Sequence, residues 1–118
     1  MRYLCLFYIE EKAVHALPRN QFDALVEEHF AYDDELRDSG HLVMSAPLEP
    51  TQTAITIRVR NGKLSTTDGP FAETKEQLGG FGVIEARDLN DALRMASRFP
   101  PARFGSVEVR PIAALARP

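Results

Sequence analysis

Two groups of residues in this 118-residue chain have types and spacing suited to chemistry. The first is His29 and Asp33, set four residues apart in a stretch whose apolar positions follow helical spacing, so that both project from one face a single turn apart. A carboxylate so placed holds an imidazole in one tautomer and raises its pKa, which suits a general base or acid. The plainer alternative is a half-buried helix-face histidine beside Phe30. The second group is the run from Asp68 to Phe81, Asp-Gly-Pro-Phe-Ala-Glu-Thr-Lys-Glu-Gln-Leu-Gly-Gly-Phe, which joins two strand-like stretches and is too long for a minimal hairpin loop. Asp68 is either a turn-starting residue that accepts backbone N–H groups or a second acid–base carboxylate. Lys75, the only cation of the run, is either an anchor for an anionic ligand or a charge neutralised by Glu73 and Glu76. Thr74 supplies a polar group that orients a ligand, and Gly79 and Gly80 allow close backbone approach. The expected catalytic set is therefore His29, Asp33 and Asp68, and the expected binding set is Lys75, Glu73, Thr74, Gly79 and Gly80.

The remaining candidates point away from chemistry. His15 precedes a helix and His41 opens a strand, and three scattered histidines lack metal-ligand spacing, so no metal is expected. The single cysteine, Cys5, reads as a small buried hydrophobe and excludes an intrachain disulfide. The glycines lack the spacing of a phosphate-binding loop, and no cofactor is expected. A net charge of −3 offers no basic footprint for nucleic acid or an anionic membrane. No apolar run approaches the roughly 20 residues of a membrane span. Residues 1–9 are apolar but run straight into Glu10 and Glu11 with no cleavage site, which reads as a first strand rather than a signal peptide. A cytoplasmic location is expected.

The elements that must position these residues are legible in outline. Residues 2–9 read as a buried strand, apolar on both faces, and 21–39 as an amphipathic helix closed by Gly40. A strand at 41–46 comes next, and then Asn61-Gly62 joins strands 53–60 and 63–67 as a hairpin. Residues 80–86 read as a strand, Asp88 as the cap of a second helix with Leu89, Ala92, Leu93 and Ala96 inward, and 106–110 as the last strand. Two strand–helix–strand units make a single domain over 1–118 of the ferredoxin-like α+β class. Helices on one sheet face leave the other to be covered, which favours a homodimer.

The Asp68–Phe81 run, with Thr53–Arg60 before it and Gly105–Pro111 after it, resembles the YCII-related proteins, in particular the branch known for its Asp-Gly-Pro-Phe (DGPF) motif. The resemblance implies a ferredoxin-like fold pairing as a dimeric α+β barrel. The stretch from His29 through Gly40 to Pro47 is similar to YCII proteins outside that branch, in which a helix histidine with an acidic partner lies in a pocket. It implies a pocket for a small polar or anionic organic molecule and cofactor-free proton transfer of the isomerase or lyase kind. The resemblance to the Asp-Gly-Pro-Phe branch implies an alternative, a non-catalytic accessory module that meets an extracytoplasmic-function sigma factor.

Overall fold

The computed structural model describes residues 1–118. Its centre is β1 (Arg2–Ile9), which turns Tyr3, Cys5 and Phe7 to one side, all buried. It pairs antiparallel on one edge with β5 (Gln77–Glu85) and on the other with β6 (Ser106–Pro111). β2 (Leu42–Pro47) pairs outside β5, giving the order β2-β5-β1-β6 of a ferredoxin-like sheet. The remaining strands, β3 (Ile55–Arg60) and β4 (Lys63–Asp68), form a separate two-stranded sheet. Their turn is Asn61-Gly62, with both residues at positive φ as a primed hairpin turn requires.

Four α-helices and a single 3-10 turn at Thr51–Thr53 complete the chain: α1 (Glu11–His15), α2 (Arg19–Asp38), α3 (Leu89–Ala96) and α4 (Pro101–Phe104). α2 begins directly after Pro18 and extends about 30 Å at helical rise. It ends where Gly40, at φ +81°, lets the N–H of His41 reach back to the carbonyl of Leu36 at 2.8 Å. Asp88 caps α3 by accepting from the Asp91 N–H at 2.8 Å. The core lies between α2, α3 and one sheet face, with Tyr3, Cys5, Phe7, Ile84 and Phe99 at its centre and Ala92 and Ala96 beneath α3.

Three details differ from the sequence reading. Leu89 and Leu93 are about half exposed; α3 turns its alanines inward, because small side chains let the helix sit close to the sheet. Pro100-Pro101 ends the preceding segment but also starts α4, as proline suits a first helical turn. β5 begins at Gln77 rather than Gly80, so the end of the motif run opens a sheet strand and its loop shrinks to residues 69–76.

An irregularity in β5 shapes one end of the sheet. Phe7 faces Gly80 and Tyr8 faces Leu78, so Gly79 is the extra residue of a bulge. A Cβ on Gly80 would lie 3.0 Å from the carbonyl oxygen of Ala46 and 3.5 Å from the Phe7 ring. The strands can approach this closely only because no side chain stands there.

Candidate functional site

A cavity of about 520 Å³ lies between α2 and the ends of β1, β2 and β5, closed at one side by the turn from Pro100 to Phe104. Each wall is set by local sequence. Helical spacing brings Phe22, Val26, His29, Phe30 and Asp33 of α2 to it, strand alternation brings Phe7 and Ser45, and Gly79 and Gly80 leave room at the bulge. A bidentate ion pair from Arg103 to Glu28, at 2.7 and 2.8 Å, ties α4 to α2 beside the cavity.

His29 sits in an aromatic frame. Its ring meets Phe7 edge-on at 5.0 Å and lies tilted against Phe99 at 5.5 Å, leaving the side chain 25% exposed. Burial among these rings lowers its pKa below the ordinary histidine value, although Asp33 and Glu28 pull the other way. The sequence reading expected the carboxylate to prevail and raise it. Desolvation prevails because the Asp33 oxygen stands 3.7 Å from Nε2, beyond hydrogen-bond length, and transmits only a long-range attraction. The imidazole is therefore held neutral at pH 7, with a free lone pair for accepting a proton.

Asp33 is buried, at 5% exposure. Its Oδ2 accepts a hydrogen bond from Ser45 Oγ at 2.8 Å, while its Oδ1, the oxygen nearest His29, accepts none from the protein. Buried carboxylate oxygens are ordinarily satisfied, so an unclaimed one, shielded from solvent beside His29 at the edge of a cavity, is an unspent acceptor. The other polar groups of the wall are Asp34 and Arg37, which bond to each other at 3.1 Å. The wall is thus mainly apolar and aromatic, with two carboxylates and one cation already paired.

His29, Asp33, Gly79 and Gly80 line the cavity; Asp68, Glu73, Thr74 and Lys75 of the same chain do not. Asp68 ends β4, exposed, opposite Ile55. Glu73 and Lys75 are exposed in the motif loop, Thr74 Oγ1 donates to the Glu76 carbonyl, and Gln77 Nε2 donates to the Thr74 carbonyl at 2.6 Å. The loop is further pinned by Glu11 N–H donating to Gln77 Oε1 at 2.9 Å and by Ser106 Oγ donating to Glu76 at 2.7 Å. Sequence reasoning passed over Ser45 and Phe99. Ser45 had a signal, as the one hydroxyl in the strand Leu42-Val43-Met44-Ser45-Ala46; Phe99, next to Pro100, had none.

Other candidates have structural partners. Tyr32 OH donates to the Met95 carbonyl at 2.6 Å, and His41 Nδ1 donates to the Glu85 carbonyl at 3.0 Å. Cys5 is fully buried, which pushes its thiol up to about 11. No three His, Cys, Asp or Glu side chains gather in a metal-binding arrangement. No helix is long and apolar enough to cross a membrane.

Fold and cavity together define a ferredoxin-like α+β domain with a histidine–aspartate pair in a pocket between helix and sheet. The chain belongs to the family of YCII-related domains, which it matches over residues 1–116. It is 37% identical over 115 residues to an uncharacterized protein of Rhizobium meliloti (strain 1021), covering 96% of this chain and 93% of that one. Among solved structures it is similar to 5-chloro-2-hydroxyhydroquinone dehydrochlorinase (TftG) from Burkholderia phenoliruptrix AC1100, in complex with 2,5-dihydroxybenzoquinone. The TM-score is 0.55 and the identity 16%, with 96% of this chain and 94% of that one covered. At that identity the likeness shows a shared fold.

Proposed function

We propose that this chain is a member of the DGPF branch acting as a homodimeric, cofactor-free proton-transfer enzyme on a small, neutral, hydroxylated ring compound. One observation carries this reading: the unclaimed Asp33 Oδ1 beside a neutral imidazole in an aromatic-walled cavity. With a small side-chain shift that uncovers Asp33 Oδ1, a ligand hydroxyl would donate to it, and the ligand ring would stack among Phe7, Phe22 and Phe30. His29 Nε2 would then take a proton from a substrate O–H or C–H bond, leaving the electron pair to delocalise into the ring. The imidazolium so formed would be stabilised by the Asp33 carboxylate at 3.7 Å. Return of the proton at another atom gives isomerisation; departure of a leaving group with the electron pair gives elimination.

The paired state of Arg37 and the two carboxylates of the wall favour a neutral ligand over the anionic one expected from Lys75. The neighbour's complex with a dihydroxylated quinone is consistent with a ring compound of this size. The homodimer is supported by the sheet face opposite the helices, where Leu4, Leu6, Phe81 and Val83 lie adjacent and only half-buried.

The test is ligand-observed NMR with a panel of dihydroxybenzenes, hydroxyquinones and benzoates, using wild type, His29→Gln and Asp33→Asn. Binding of hydroxylated rings that is weakened at least tenfold by Asp33→Asn is expected, with turnover lost in His29→Gln. Preference for benzoates, or binding indifferent to Asp33, would overturn the reading. The alternative, an accessory module for an extracytoplasmic-function sigma factor, rests on the resemblance alone. It predicts a sigma factor retained on the purified protein and no ring compound bound.

A further inference from the structure

The β3–β4 hairpin is amphipathic to an unusual degree. Cross-strand register places Ile55, Ile57, Val59 and Leu64 on one face, with Thr66 and Asp68 beside them, and Thr56, Arg58, Arg60, Lys63, Ser65 and Thr67 on the other. The apolar face is open: Ile55 is 65% exposed, Ile57 64%, Val59 59% and Leu64 67%. Four such neighbours form a patch of a few hundred Å², the size that marks an interaction surface. The hairpin shares no sheet with the body of the protein, and its base is closed on itself by Gly69 N–H donating to the Ala54 carbonyl at 2.7 Å and Thr56 Oγ1 to the Gly69 carbonyl at 3.0 Å. An isolated two-stranded hairpin is only marginally stable in water. The molecule is also broad and thin, at 49 × 48 × 20 Å, with a radius of gyration of 16.4 Å against about 13–14 Å for a compact chain of this length.

We propose that this hairpin is an exchange arm, whose apolar face is covered by a second copy of the chain. The inference rests on the homodimer reading and adds the element that holds the two copies together. Charge favours this occupant. Residues 55–68 carry three cations and one carboxylate, whereas the rest of the chain carries eleven cations and sixteen carboxylates. Two whole copies repel, whereas the net-positive arm is drawn at long range to a net-negative partner body, its cations remaining on the outward face when the apolar face docks. Reach fits as well: six-residue strands extend about 20 Å, and a four-stranded sheet is roughly 14–19 Å wide, so one arm spans a partner's sheet. A stable interface needs about 800 Å² per partner, more than the arm's patch alone, so the half-covered strip of Leu4, Leu6, Phe81 and Val83 would be covered with it. The arrangement is reciprocal, since each copy offers one arm and receives one.

The experiment is sedimentation equilibrium on wild type, the apolar-face variant Ile57→Glu/Leu64→Glu and the polar-face control Thr67→Gln, with circular dichroism to verify the fold. Hydrogen exchange of the amides of residues 55–68 is tracked on dilution of wild type. The expected result is a wild-type dimer, a dissociation constant at least a hundredfold weaker in the double variant, an unchanged control, and arm protection that disappears as the dimer dissociates. A wild-type monomer at 100-micromolar-scale concentration would remove the homodimer reading and the arm with it. A dimer whose dissociation is unmoved by the double variant, or whose arm amides exchange freely, would overturn the arm alone and leave the dimer standing.

Discussion

Ser45→Ala tests the geometry of the site most directly. Ser45 Oγ donates at 2.8 Å to Oδ2 of a carboxylate that is 5% exposed, and that carboxylate has no other hydrogen bond from the protein. Removing the hydroxyl leaves both oxygens of Asp33 unclaimed. A hydrogen bond to a buried charged group contributes about 1.5–3 kcal/mol. For 118 residues the unfolding entropy is about 0.25 kcal/mol/K, so the expected fall in Tm is about 6–12 °C. Thermal unfolding by circular dichroism at pH 7 measures it. Repeating the substitution in an Asp33→Leu background completes the cycle: with no carboxylate to serve, the same change should cost under about 0.5 kcal/mol. A fall below about 2 °C in the wild-type background, or an equal cost in both backgrounds, would show that Ser45 does not support Asp33.

Three further outcomes are expected from the same packing. Because the folded His29 has a pKa below its unfolded value, the unfolded chain binds the extra proton first. Its contribution to stability is complete above about pH 6.5 and is lost as pH falls through the lower folded value, so the Tm of His29→Gln should decline less steeply below pH 6.5 than that of wild type; parallel curves would refute the burial argument. Gly105→Ala would put a Cβ 2.0 Å from the Tyr8 carbonyl oxygen, backbone against backbone, and should cost about 3 kcal/mol or more in denaturant unfolding; a cost under about 1 kcal/mol would contradict the described path into β6. Cys5, fully buried and pushed up to about 11, should resist a thiol-reactive disulfide reagent at pH 8 in native protein and react at once in denaturant; prompt native labelling would place β1 differently.

What the chain determined locally is what neighbours in sequence control. Gly40 ended α2, Asn61-Gly62 made the hairpin and Asp88 capped α3, because each is decided by the conformational preference of one or two residues, whereas β1, apolar on both faces, took its inward side from the packing around it. The helical period likewise placed His29 and Asp33 on one face of α2. Tertiary structure decided the chemistry of that pair. The sign of the His29 shift depends on Phe7 and Phe99, which lie 22 residues before and 70 after it, and the state of Asp33 depends on Ser45 from another strand. Within a single chain the motif run divides for the same reason. Its composition suggested a ligand loop, but its second part was drawn into β5, its glycines shaped the cavity, and Asp68 and Lys75 were left outside. Burial and long-range contact set the energy of a charge, and neither is encoded in the few residues beside it.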